Sequence, residues 1–357
     1  MIRLPGARVA ALVVVLAPLA AQAGTNRSAP SFHDGAAFAR HELGFDRIVT
    51  FGDSLSDPGN AYLATGDFVV RPFGPVPAAP YLIGRFRFSN GPTWIEWLAR
   101  GLRLPRSGRP ALLRPGIYTN YAIGGTRARE SAGPVDLGAQ IDLFLHDFWG
   151  FAPPDALYAL WVGSNDLQDA FAALEPDPTG AASQAIIAEA LEATGDSIQR
   201  LWDAGASSFL VLNLPNIALA PATRTLGPDA QAAAQGLSIL YNTGLEETLQ
   251  GLEALPDLED IVILRLDIFA ILNAAVADPE SFGLSNSTDS CITPDVVRGA
   301  ICRRPDTYLF WDYVHPTTQA HRLLAKEAKA ALATILEDFE SAQAKRLQGS
   351  RPWIETR

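Results

Sequence analysis

The chain has 357 residues, 48% of them apolar, and a formal net charge of −11. So large an apolar share excludes a disordered chain. So acidic a balance argues against a nucleic-acid partner and against simple electrostatic capture by anionic lipid.

Residues 1–23 read as an export signal. Arg3 and Arg8 give a positive start, Val9 to Ala20 an apolar run, and Ala21-Gln22-Ala23 the small residues of a cleavage site. An uncleaved anchor is the alternative reading, but the run is too short to span a bilayer comfortably. No other apolar stretch approaches membrane-spanning length, so the mature chain is expected to hold no integral membrane segment and to be secreted, to the periplasm or beyond. Residues 24–46 are a polar lead-in.

Five short apolar runs bounded by turn residues follow, at Arg47–Phe51, Tyr118–Ile123, Ala156–Val162, Ser208–Asn213 and Asp260–Leu266. Helical patterns lie between them at Thr93–Leu102, Leu137–Phe148, Ala185–Asp203 and Ala230–Leu252. A last one runs from Thr317 to about Lys345, within a domain expected to end near 346 before a tail at 347–357. Strands alternating with helices predict one three-layer α/β domain over 47–346, its mainly parallel sheet covered on both faces. Two segments break the rhythm and read as insertions. The first, 64–92, is rich in proline and aromatics; the second, 278–307, carries Cys291 and Cys302. In an exported chain these two cysteines are expected to form a disulfide. No histidine lies beside them, which argues against zinc.

In open α/β sheets ligands gather beyond the carboxyl ends of the strands. The first run ends Gly52-Asp53-Ser54, placing a serine where a helix N-terminus could follow and favour a developing oxyanion. The second ends Gly124-Gly125, where bare backbone can approach a substrate. The third ends Gly163-Ser164-Asn165-Asp166, where an asparagine amide could serve an oxyanion. Near the C-terminus stands Asp312-Tyr313-Val314-His315, a spacing that lets a carboxylate hold an imidazole toward a hydroxyl. Taken singly, each has a plain structural reading: a helix cap, a turn, a packing histidine. The chain has five histidines, and only His315 has an acid at this spacing in a loop before a helix. Gly-x-Ser-x-Gly, the P-loop, Gly-x-Gly-x-x-Gly and His-Glu-x-x-His do not occur. No histidine cluster suggests a metal, and no cofactor is expected.

Together these blocks resemble the SGNH, or GDSL, hydrolases. Phe51-Gly52-Asp53-Ser54-Leu55-Ser56-Asp57 is similar to that family's nucleophile block, and Asn120 to Gly125 to its second. Gly163 to Asp166 and Asp312-x-x-His315 are similar to its third and last. The resemblance implies the SGNH hydrolase fold, an α/β/α sandwich around a five-stranded parallel sheet of flavodoxin-like order 2-1-3-4-5. It implies Ser54 as nucleophile, Asp312 and His315 as its partners, and Ser54, Gly125 and Asn165 as oxyanion donors. Asp57-Pro58-Gly59-Asn60 and the block Gly84 to Trp94 are similar to a lipolytic branch of secreted esterases, lysophospholipases and acyltransferases. Two departures stand out: Arg87-Phe88 is inserted into a block that reads closer to Gly-Arg-Phe-Ser-Asn-Gly there, and Pro58 stands where threonine is common. The β-barrel that some relatives append is not expected in this chain. The expected activity is ester hydrolysis through an acyl-enzyme on lipid or lysophospholipid-type esters. Carbohydrate O-deacetylation, acyl transfer to another acceptor and a catalytically silent binding protein are the alternatives.

Overall fold

The computed structural model describes residues 44–65, 85–131, 135–258, 260–292 and 301–349, with side chains to 333. These residues all belong to one compact unit. The export signal, most of the lead-in and most of the 64–92 insertion lie outside the described residues.

Strand β1 (Arg47–Gly52) buries every residue after Arg47, as a central parallel strand must with helices on both faces. A turn leads into the short helix α1 (Asn60–Thr65). Helix α2 (Trp94–Gly101) starts where Glu96 Oε2 accepts the Thr93 N–H at 3.0 Å, one half of a capping box. Helix α3 (Leu137–Asp147) is capped by Asp136, which accepts from Ala139 N–H. Then come β2 (Ala156–Trp161), α4 (Ser164–Ala173), α5 (Ala181–Asp203), β3 (Ser208–Leu212), a single turn α6 (Pro221–Arg224), α7 (Pro228–Glu253) and β4 (Val262–Leu266). Helix α8 (Ile268–Ala277), strands β5 (Asn286–Ser290) and β6 (Tyr308–Phe310), and the long α9 (Thr318–Gly349) complete the chain.

The sheet order is β1-β2-β3-β4, all parallel. One hydrophobic cluster runs through it and joins two groups of helices: Ile95, Leu98, Leu324 and Ala328 from α2 and α9, and Ile141, Ile198 and Leu245 from α3, α5 and α7. The expected α/β architecture is therefore present, with four regular strands instead of five. The expected second strand, Tyr118–Ile123, forms only isolated bridges at Asn120. It still lies along β1, where Thr50 N–H donates to Thr119 O and Tyr121 and Ile123 N–H donate to Thr50 O and Gly52 O. Its other side also bonds loop backbone, as in Ala111 N–H to Asn120 O, so no regular ladder propagates beyond it. Helices α4 and α8 were not expected from the sequence. Each follows directly on a strand-end motif, whose turn residues masked the start of the helix. The second insertion is not structureless: it forms β5, pairs it with β6, and closes the Cys291–Cys302 disulfide.

Candidate active site

The end of β1 is fixed from three sides. Gly52 N–H donates to Gln140 Oε1 of α3, and Gln140 Nε2 donates back to Gly52 O. A Cβ on Gly52, whose φ is +154°, would lie 2.3 Å from Trp161 O on β2, so only glycine lets the two strand ends run this close. Asp53, fully buried, then turns the chain by accepting Leu55 N–H on Oδ1. Burial pushes its carboxyl up to about 7. Ser54 therefore sits in a tight turn, with Ser56 N–H donating to Asp53 O. This corrects the expectation of a helix N-terminus at Ser54. Helix α1 begins only at Asn60 and has six residues, so any oxyanion donor here is a turn N–H and not a helix dipole.

Ser54 Oγ lies 2.9 Å from His315 Nε2, and His315 Nδ1 lies 2.7 Å from Asp312 Oδ2. An ionised carboxylate only accepts, so Nδ1 carries the proton and Nε2 is left to accept from the serine hydroxyl. Asp312 Oδ1 also accepts Val314 and His315 N–H at 2.8 and 2.7 Å. Burial alone would push the Asp312 carboxyl up. His315 and the two backbone N–H groups outweigh that and hold it below the usual carboxylate range.

The loop carrying these groups is braced from both ends. Trp311 N–H donates to His315 O, and the disulfide segment grips the approach, with Cys291 and Ile292 N–H donating to Phe310 O and Trp311 O. On the far side, Ser89 Oγ donates to Pro316 O and Thr318 N–H donates to Asn90 Oδ1. The Ser89-Asn90-Gly91-Pro92 block thus clamps the histidine loop. Gly91 is needed there, since a Cβ would meet Thr318 Oγ1 at 2.8 Å. The inserted Arg87-Phe88 pair also finds partners. Arg87 forms a two-pronged ion pair with Glu96, and the Phe88 ring stands 5.3 Å from the His315 ring. Phe88 fills the space a side chain on Gly124 would need, 2.3 Å from its would-be Cβ.

Asp57, unremarked in the sequence beyond its place in a motif, ties two blocks together. Its carboxylate accepts N–H from Gly59, Asn60 and Ala61 and, across the chain, from Gly124 at 2.8 Å. Burial pushes it up to about 6 against those four bonds. With Gly124 N–H spent on Asp57, the next N–H, of exposed Gly125 at φ +84°, has no partner among the described residues. Asn165, at the start of α4, gives one amide hydrogen to Thr126 O at 2.8 Å, which fixes the amide beside the glycine loop. Its neighbour Asp166 accepts Ala128 N–H. Thus Ser54, Asp312, His315, Gly125 and Asn165 all border one cavity or support its wall, and Cys291 and Cys302 belong to the apolar cluster that holds Phe88 and Trp311. No cluster of metal-ligating side chains occurs among the described residues.

The sequence pattern of the family GDSL-like Lipase/Acylhydrolase matches residues 48–328. The chain belongs to this family, and it is a carboxylic ester hydrolase by class, with ester hydrolysis or acyl transfer as the family's chemistry. It is 24% identical over 300 residues to the thermolabile hemolysin of Vibrio parahaemolyticus, covering 79% of this chain and 62% of that one. It is 27% identical to the phosphatidylcholine-sterol acyltransferase of Aeromonas hydrophila (82% and 90% covered) and 25% identical to an acetylesterase of Thermothelomyces thermophilus (82% and 91%).

Proposed function

We propose that this protein is an exported serine esterase that attacks lipid or lysophospholipid-type esters with Ser54. The contact series Ser54 Oγ–His315 Nε2–Asp312 carries the reading. His315 takes the serine proton as Oγ adds to the ester carbonyl, and Asp312 stabilises the imidazolium. The N–H groups of Ser54 and Gly125 and the Asn165 amide receive the oxyanion. The imidazolium then protonates the leaving alcohol, and water, deprotonated by His315, releases the acid from the acyl-enzyme.

Lipid as substrate rests on the cavity that Ser54 and His315 border, about 1380 Å³ in volume. Most of its wall is apolar, with Ile217, Leu226, Ile271, Leu272, Phe282 and Leu323, while Arg127, Arg129 and Asp169 give it a polar portion. Each methylene buried there contributes about 0.8 kcal/mol, so a long acyl chain gains where an acetyl group cannot. The name of the phosphatidylcholine-sterol acyltransferase relative agrees with this, and the acetylesterase relative gives the rival reading. Export rests on the N-terminal pattern at 1–23 and is compatible with the disulfide. We read 47–346 as one catalytic domain between the lead-in and the tail.

The test is hydrolysis of p-nitrophenyl esters of short, medium and long acyl chains by the protein and its Ser54→Ala variant. Activity rising with chain length and lost in the variant supports the reading. A sharp acetyl preference would favour the carbohydrate deacetylase. Products formed only when an alcohol acceptor is added would favour acyl transfer. Inertness of folded protein toward all of these would leave a binding protein.

A further inference from the structure

The net charge of −11 hides a local excess of the opposite sign. Between Trp97 and Arg129 the sequence carries seven arginines and no aspartate or glutamate. Five of them, Arg100, Arg103, Arg106, Arg109 and Arg114, are exposed. Among the described residues, Arg100, Arg106, Arg109 and Arg114 enter no ion pair with a carboxylate. Arg109 and Arg114 instead lie over the Tyr118 ring at 5.4 and 5.9 Å. Arg100 lies over Trp97, which Arg322 of α9 also faces. The nearby carboxylate of Asp147 is engaged, accepting from Tyr121 Oη.

Apolar side chains stand exposed in the same region. Leu113 and Ile117 flank Arg114, each more than half exposed. The turn at Gly116 reaches the end of α3, where its would-be Cβ comes within 3.4 Å of Asp147 O. Two residues further on, Trp149 is 95% exposed, and Phe151 beyond it is more than half exposed. Trp149 has φ +52°, a conformation that a bulky side chain rarely adopts, although glycine follows at the next position. The backbone there is closed by Gly150 N–H to Leu145 O, so the indole is held in water by the end of a helix.

This region surrounds the N-terminal end of β1. Ile48 N–H donates to Ser107 Oγ, and Thr119 Oγ1 donates to Ile48 O. Ser54 follows the opposite, C-terminal end.

We propose that this basic and aromatic face docks the protein on an anionic lipid bilayer, with the arginines at the lipid phosphates and Trp149, Leu113 and Ile117 in the headgroup layer. Tryptophan favours that layer, and an anionic leaflet attracts basic clusters that lie within a Debye length of its surface. A polyanion such as nucleic acid would account for the arginines but not for the exposed aliphatic side chains among them. Docking by this end keeps the cavity mouth off the bilayer, facing esters presented from the aqueous side. The inference does not depend on the catalytic reading.

The experiment is flotation of the full chain with vesicles of phosphatidylcholine alone and of equal parts phosphatidylcholine and phosphatidylglycerol, at low and at molar salt. Binding is expected only to the second, and it is lost at high salt. Each arginine near the surface is worth roughly fivefold, so Arg106→Ala with Arg114→Ala lowers partitioning about 25-fold. Trp149→Ser weakens it as well, and esterase activity in solution stays unchanged in both variants. Three results would overturn the proposal: no binding to the anionic vesicles, equal binding to both compositions, or arginine-dependent binding to heparin without any to vesicles. The salt and composition series on the unmodified protein decides the matter even where a variant fails to fold.

Discussion

His321 provides a quantitative check on how the interior handles charge. Its side chain, on the first turn of α9, is buried and borders the cavity, and Nδ1 has no hydrogen-bond partner among the described residues. Burial, helped by the nearby His315, pushes the imidazole down to about 3. The unfolded chain takes up a proton here below about 6.5 and the folded chain does not. The stability this group contributes is therefore present above about 6.5 and is lost as pH falls toward 3. At pH 5 the loss is about 2 kcal/mol, the 1.5 pH units below the unfolded value at 1.36 kcal/mol each. The perturbation is His321→Leu, and the assay is urea unfolding at pH 8 and pH 5 for both proteins. The change in stability between the two pH values should be about 2 kcal/mol less unfavourable in the variant. Comparing differences cancels the other titrating groups, including Asp53, Asp57 and Asp166. Equal pH responses in the two proteins would refute a neutral, buried His321.

Three further expectations follow from the site. Asp57→Asn removes the carboxylate that engages Gly124 N–H. If the adjacent Gly125 N–H serves the oxyanion, kcat should fall about 10²–10³-fold, the cost of one such donor, with little change in KM; steady-state kinetics on a p-nitrophenyl ester would show it. Gly124→Ala drives a Cβ into the Phe88 ring, an overpacking that costs about 1–3 kcal/mol in denaturant unfolding and pushes Phe88 against His315. Replacing Cys291 and Cys302 together with serine opens an 11-residue link. That should cost about 2–3 kcal/mol and lower the unfolding midpoint, because β6 and the loop to Asp312 hang from this segment.

Local chemistry wrote much of the architecture into the sequence. Four of the five apolar runs are strands within a residue or two of their expected ends, because a segment buried on both faces has to be continuously apolar. Ser54, Gly125 and Asn165 stand in turn-rich motifs directly after such runs and Asp312 and His315 in a loop before the last helix, and Ser54, His315 and Asp312 meet within hydrogen-bonding distance. The run Tyr118–Ile123 failed as a strand for a reason outside itself: its outer neighbour is loop backbone that offers no matching ladder. The turn at Ser54 was equally out of reach, since a buried Asp53 and a strand packed against Gly52 impose it.

Long-range contacts decided the rest. The Arg87-Phe88 insertion departs from its motif in sequence, but in space Arg87 pairs with Glu96 and Phe88 lies beside His315. Asp57 was one acid among many until four N–H groups, one of them 67 residues away, converged on it. Net charge concealed the basic face, because a sum over the chain discards where the charges lie. The sequence by itself determined which segments could be buried and which side chains could react, because apolar periodicity and functional-group chemistry are local properties. Only the tertiary structure decided which groups touch, because a contact depends on where distant backbone runs, and no pattern within a short window encodes that.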